Sequence, residues 1–184
     1  MRKIVVILAG LPGTGKSSAG KFFADLNVPV IRMGNLTNKQ LKNQKLAQTE
    51  LNESAIRKDL RKKFGKDIYA REVLPEVNQL LQEFNLVAID GMRSLDEWAY
   101  FKKNINAPEI IYLESDKRHR EERLAKRFPR RLTPKEVKLR EDYETKVLKI
   151  NQLKPEARFI IINNTNKENF YNLLEKAINQ IKID

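Results

Sequence analysis

Three glycines, a lysine and a serine fall in one short run, Gly10-Leu11-Pro12-Gly13-Thr14-Gly15-Lys16-Ser17, and their types and spacing point to phosphate chemistry. Gly10, Gly13 and Gly15 let the backbone curl with its N–H groups facing inward, so that a polyphosphate can rest on a helix N-terminus. Lys16 then reaches the outer phosphates, and the Ser17 hydroxyl is placed to ligand a Mg²⁺ bridging phosphate oxygens. The pattern GxxxxGK[ST] carries weight only between a strand and a helix. Ile4-Val-Val-Ile-Leu8 before it and Ser18 to Leu26 after it supply both.

A second group follows the apolar run Leu86-Val-Ala-Ile-Asp90, which ends in an acid and continues Gly91-Met92-Arg93. A carboxylate at the end of such a strand can organise a Mg²⁺ shell. The competing role for Asp90 is a helix cap, but Ser94 with Glu97 three residues on already supplies a capping box. Arg93 either meets an anion beside the phosphate loop or pairs with Asp96 or Glu97. Third come the arginines. Arg120, Arg123 and Arg127 stand at i, i+3 and i+7 of a helix capped by Asp116, with Arg130 and Arg131 beyond it. Glu121 and Glu122 could make this a solvated face, yet guanidinium forks rather than ammonium groups suit bidentate phosphate binding.

The net charge of +12 is concentrated, not spread. Residues 36–66 hold nine Lys and Arg against three acids, residues 115–149 hold thirteen against seven, and the rest balances. Two basic arms on a neutral body suggest a site for concentrated negative charge. With no cysteine and one histidine, His119, the chain has no thiol chemistry, no disulfide framework and no zinc-ligand set. The opening Met1-Arg-Lys and apolar run has a leader's outline but ends inside the phosphate loop without a cleavage site, and no segment reaches membrane-spanning length. A cytoplasmic protein fits best.

The elements that must position these groups alternate. Apolar strands at 4–8, 28–33, 86–90, 109–113 and 158–162 are separated by helical segments, the signature of an α/β fold with a five-stranded parallel sheet covered on both faces. Ligands then gather at the strand carboxyl ends. Residues 35–64 interrupt the alternation with two helices carrying Leu36, Leu41 and Leu46, then Leu51, Ala55, Ile56, Leu60 and Phe64. A further helix starts at Asp67, with a kink expected at Pro75. Residues 115–149 form a hairpin arm, whose return helix begins at Thr133-Pro134 with Glu136 at its third position. A final amphipathic helix covers 167–182. Residues 1–184 read as one domain.

The phosphate loop, Asp90-Gly91-Met92-Arg93 and the arginine arm, in this order and at these separations, resemble a nucleoside monophosphate kinase of the adenylate kinase superfamily. Met33-Gly34, Phe64-Gly65-Lys66-Asp67, Ile89 to Ser94 and Arg120 to Arg127 bring it nearest to adenylate-kinase-related P-loop proteins found largely in archaea. The resemblance covers nearly the whole chain. It implies a P-loop NTPase three-layer sandwich, ATP and Mg²⁺ as cofactors, an acceptor-binding insertion over 35–64 and a lid over 115–149. Cofactor contacts then fall to Gly10, Pro12, Gly13, Thr14, Gly15, Lys16, Ser17, Ser18, Arg123 and Asn163, and metal contacts to Ser17 and Asp90. Gly34, Asn35, Arg61, Arg71 and Arg93 would bind the acceptor. Lys16, Asp90, Arg93, Arg123, Arg127 and Arg130 or Arg131 would carry catalysis. One departure matters: relatives carry an acceptor-phosphate arginine where this chain has Asn38, so Lys39, Arg57, Arg61 or Arg71 must substitute. Arg140-Glu141, where relatives carry Arg-Asp, is milder.

Together these readings imply phosphoryl transfer from ATP to a small phosphorylated acceptor, a nucleoside monophosphate first, with no general base required. A hydroxyl acceptor, as in the kinase that completes coenzyme A, would instead use Asp90 as base. A nucleic-acid-associated ATPase would use the basic arms on RNA phosphates, although no aromatic residues are interleaved with the basic runs to stack bases. A nucleotide-binding switch without turnover is the remaining alternative.

Overall fold

Strand β1 (Ile4–Ala9) is buried at all six positions, and this dictates its place at the centre of the sheet. The computed structural model describes residues 2–128 and 130–183; Met1 of the leader-like run, Pro129 of the basic arm and Asp184 lie outside the described residues. Around β1 the strands β2 (Val30–Arg32), β3 (Leu86–Met92), β4 (Glu109–Glu114) and β5 (Phe159–Ile162) pair in parallel in the order β2-β3-β1-β4-β5. Val5, Ile7 and Ala9 point to one face, where α3 (Glu50–Phe64), α4 (Ile68–Glu83) and α5 (Leu95–Asn104) cover them. Ile4, Val6 and Leu8 point to the other, under α1 (Lys16–Asp25) and α8 (Lys167–Ile183). The period of two in β1 thus builds two cores from one strand.

The strand order reverses on either side of β1, so a crevice opens at its carboxyl end, where Gly10 begins. Leu8 is in register with Asp90 across β3, and Arg32 of β2 is in register with the same residue. The carboxyl ends of three strands therefore lie side by side, with Arg32 next to Asp90.

The insertion consists of α2 (Asn35–Asn43) and α3. Its apolar pattern is a poor guide to its packing. Leu46 lies beyond the end of α2, while Leu51 and Phe64 are 77% and 54% exposed. The buried face of α3 is instead Glu53, Ile56, Arg57, Leu60 and Arg61, three of the five ionic. Helix α4 passes through Pro75 unbroken. The arm is α6 (Lys117–Lys126) and α7 (Pro134–Asp142), joined by a small core of Leu124, Leu132 and Val137. Both expected capping boxes form, Ser94 with Glu97 and Thr133 with Glu136, whereas Asp116 sits at its helix start without a side-chain cap bond. After α7 a π-helical turn (Tyr143–Val147) and a 3₁₀ turn (Ile150–Leu153) return the chain to the sheet, burying Leu148, Ile150 and Leu153.

Candidate functional site

The phosphate loop wraps the end of β1 with Gly10, Gly13 and Gly15 at φ of +135°, +82° and +107°. A side chain at Gly13 would stand 2.8 Å from the Arg120 carbonyl oxygen, so the loop's curl is also what lets α6 pack against it. Lys16 lies over its own loop: Nζ donates to the carbonyls of Gly10 and of Leu11, the latter at 2.8 Å. Burial pushes its ammonium down to about 7, against the pull of Glu144 and Asp90. A polyphosphate in the loop would supply the counter-charge that these carbonyl dipoles only partly replace. Behind the loop, Asn163 Nδ2 donates to the Thr14 carbonyl at 2.9 Å, and the Asn163 carbonyl accepts from Arg123 Nη2 at 2.9 Å. Arg123 Nη1 also reaches the Gly13 carbonyl at 3.2 Å. Arg123 and Asn163 thus brace the loop from outside.

Beside the loop, Ser17 and Asp90 share one cavity wall. Asp90 is buried, with Arg32 Nε 3.6 Å from its Oδ2. A hydroxyl and a carboxylate are hard oxygen donors, the chemistry Mg²⁺ prefers. No cluster of three or more His, Cys, Asp or Glu placed for a metal occurs among the described residues, so phosphate oxygens would have to complete the shell. That division of ligands fits Mg²⁺ bound with its nucleotide.

The cavity measures about 280 Å³ and reaches from the loop to the insertion and the arm. Arg32, Arg57, Arg61, Arg93, Arg123, Arg127, Arg130 and Arg140 line it together with Lys16, against only Glu53 and Asp90. An ionic seam backs these arginines. Glu144 accepts from Arg93 Nη1 at 2.8 Å and from Arg140 Nε at 3.1 Å. Arg140 Nη1 also reaches Glu50 at 3.1 Å, and Arg57 pairs with both Glu50 and Glu53. Arg130 Nη1 donates to Glu53 at 2.9 Å, tying the arm to the insertion. Burial would raise the Glu144 carboxyl, but Arg93, Arg140 and Lys16 outweigh it and hold it down to about 2. Burial lowers Arg140 to about 10. Arg61 donates to Glu97 at 2.9 Å and lies 4.4 Å over the Tyr69 ring, whose hydroxyl shares a 2.7 Å bond with Thr37.

Set against the sequence reading, Pro12, Gly13, Gly15, Lys16, Ser17, Ser18, Gly34, Asn35, Arg61, Asp90, Arg93, Arg123, Arg127 and Arg130 all line this cavity. Gly10, Thr14 and Asn163 do not; they support the loop from beneath. Arg71 is a correction: it bonds to the Phe64 carbonyl and to Asp67, outside the lining, because the turn at Gly65 holds it there. The single helix face is a second correction. α6 ends at Lys126, Arg127 is extended, and Arg120 is buried on Glu141 at 2.9 Å. Arg131 is exposed and off the lining. The Arg93 guanidinium pairs with Glu144, not with Asp96 or Glu97; only its backbone N–H meets Glu97, at 2.7 Å. Glu50, Glu53, Tyr69, Arg140 and Glu144 went unassigned as site groups, since their partners lie up to 90 residues away.

A UPF0200 protein of Thermococcus onnurineus is 30% identical over 182 residues, covering 97% of this chain and 98% of that one. The chain belongs to the UPF0200 family. Another family member, from Methanocaldococcus jannaschii, is 28% identical over 179 residues and covers 97% of this chain and 90% of its own. No family model matches the chain. Among solved structures, a gluconokinase from Sinorhizobium meliloti superposes with a TM-score of 0.61 at 12% identity, covering 98% of this chain and 95% of its own. A shikimate kinase from Bacteroides thetaiotaomicron gives 0.59 at 16% identity, covering 96% and 98%. The fold is that of P-loop kinases, with the five-stranded parallel sheet in the order 2-3-1-4-5. Among the described residues no helix is long and apolar enough to cross a membrane.

Proposed function

We propose that this UPF0200 protein transfers the terminal phosphoryl group of ATP to a small phosphorylated acceptor, of which nucleoside monophosphates are the first class to test. One observation carries the reading. The phosphate loop, Asp90 and eight arginines line the same cavity. Phosphoryl transfer asks little covalent chemistry of a protein; it asks for alignment and for positive charge where equatorial oxygens gain negative charge.

Bound ATP would supply the phosphoryl group, and Mg²⁺, when bound with it, would supply charge neutralisation. Ser17 and Asp90 would hold the metal, and the loop glycines would seat the polyphosphate. Lys16, on leaving the Gly10 and Leu11 carbonyls, places its ammonium on the transferred group. Arg123 is braced toward the loop, and Arg127 and Arg130 come from the arm, so each can meet the migrating charge. Arg93, aimed by Glu144, orients the acceptor from the end of β3. The acceptor's phosphate is already a nucleophilic oxyanion, so no side chain need remove a proton. Thr37, Tyr69, Gly34 and Asn35 line the part of the cavity left for the rest of the acceptor.

The test is product formation from Mg·ATP with a panel of mononucleotides, dephospho-coenzyme A and RNA. Transfer to a mononucleotide supports the reading. Transfer only to the hydroxyl acceptor would recast Asp90 as a base, and hydrolysis stimulated by RNA alone would overturn the kinase.

A further inference from the structure

Of the seam carboxylates Glu50, Glu53, Glu97 and Glu144, Glu53 is the one on the cavity wall. It is 4% exposed and fully engaged: Oε2 accepts from Arg57 Nη1 at 3.0 Å and Oε1 from Arg130 Nη1 at 2.9 Å. One guanidinium belongs to the insertion and the other to the arm. The guanidinium of Arg127, also on the wall, has no hydrogen-bond or ion-pair partner among the described residues. It is pushed down by burial and then by Arg130, with Glu53 opposing. Two arginines therefore hold one carboxylate, with a third, Arg127, on the same cavity lining, an arrangement that would grip an anion from outside equally well.

The size of the cavity adds a constraint. At about 280 Å³ it is just below the range of roughly 300–1,000 Å³ usual for one drug-sized ligand. The Arg130–Glu53 and Arg140–Glu50 pairs join the arm to the insertion at this wall. Of the arm's cations, these carboxylates meet Arg130 and Arg140.

We propose that Glu53 occupies the seat of the acceptor's anionic group: its carboxylate fills the subsite of Arg57, Arg127 and Arg130 in the free protein, and a phosphate monoester displaces it. The proposal rests on the phosphotransferase reading for the identity of the occupant. Charge selects the class. A carboxylate ligand would replace Glu53 at equal charge and gain nothing, whereas a phosphate monoester brings about −1.5 to −2 at pH 7 to the same guanidinium groups. The residue that closes the arm over the insertion is thereby the residue an acceptor must compete with, so Glu53 sets both selectivity and the opening of the arm.

Glu53→Gln keeps the shape and removes the charge. Wild type and variant are titrated with inorganic phosphate and with acetate at constant ionic strength, without ATP, in a Lys16→Ala background that removes binding at the phosphate loop. In parallel, amide hydrogen exchange is followed across α6 and α7. The expected result is a phosphate Kd at least five- to tenfold tighter in Glu53→Gln, acetate binding that is detectable only in that variant and stays weaker than phosphate, and faster exchange in the phosphate-free arm. Unchanged phosphate affinity in the folded variant overturns the proposal, as does wild type binding acetate as tightly as phosphate. If Glu53→Gln does not fold, Arg130→Gln breaks the same pair from the other side; it should speed exchange in the arm and weaken phosphate binding, and unchanged exchange with unchanged binding overturns the proposal. These readouts need no turnover, so they fail independently of the kinase assay.

Discussion

Lys16 carries an ammonium that burial has lowered to about 7, and nucleotide binding should reverse this. In the free protein the folded state disfavours the charged form, so above pH 7 much of Lys16 is neutral. Phosphate oxygens restore the charged form, and the sign is therefore proton uptake on binding. With a free value of about 7 and the charged form restored on binding, uptake is about 0.1 proton per nucleotide at pH 6, about 0.5 at pH 7 and about 0.9 at pH 8. The Kd for Mg·ATP should weaken about fivefold from pH 7 to 8 and about tenfold from 8 to 9, since each unit costs about 1.4 kcal/mol. Phosphate ionisation, with its second step near about 6, is complete over that interval and does not mask the effect. Calorimetry in two buffers of different ionisation enthalpy reads the proton number directly. Lys16→Arg, which cannot titrate there, should bind with no uptake, and Lys16→Ala should lower transfer by a factor on the order of a hundred or more. Binding at pH 8 without proton uptake would refute the picture of a lysine buried on its own loop.

Three further outcomes follow from other parts of the site. Arg93→Ala should leave Mg·ATP affinity nearly unchanged while raising the acceptor KM, by about 1.5–3 kcal/mol of lost charge-assisted bonding; equal losses for both ligands in steady-state kinetics would remove Arg93 from the acceptor side. Glu144 is held down to about 2 by Arg93, Arg140 and Lys16, so its contribution is complete above its ordinary pH range near 4.5 and lost as pH falls toward 2. Glu144→Gln should therefore cost about 3 kcal/mol at pH 7 in urea unfolding, with the difference from wild type shrinking in acid. Gly13→Ala forces a side chain at φ +82° into the Arg120 backbone, and should lower the melting temperature and Mg·ATP affinity together; a variant with wild-type melting and affinity would show that the loop and α6 are not packed as described.

What the sequence disclosed is what short-range physics controls. The apolar runs of β1 and β3, the glycine spacing of the loop and the two capping boxes all act within a few residues, and each appears where its pattern places it. Long-range ionic pairing leaves no such trace. Glu53 and Glu144 look like solvated acids until the fold brings Arg130 and Arg93 to them across 77 and 51 residues. Arg120 looked like part of a phosphate-binding face because helical spacing says which residues share a side, not whether that side meets solvent or Glu141. The turn types within 143–153 are not legible in the sequence because a π-helical turn and a 3₁₀ turn follow neither the helical nor the strand period.

The seam between insertion and arm differs in kind from the sheet that carries them, and heat should act on the two differently. The sheet is held by apolar burial, whose contribution per unit area levels off on warming. The seam is held by buried and half-buried charges whose main cost is lost hydration, and that cost falls as temperature rises. A warm protein would keep its cavity wall in register close to the temperature at which the sheet itself gives way, so that closure and fold would fail nearly together. In the cold the balance tips the other way. There the sheet stays intact while the arm parts from α3 more readily, which makes access to the cavity the more temperature-sensitive of the two.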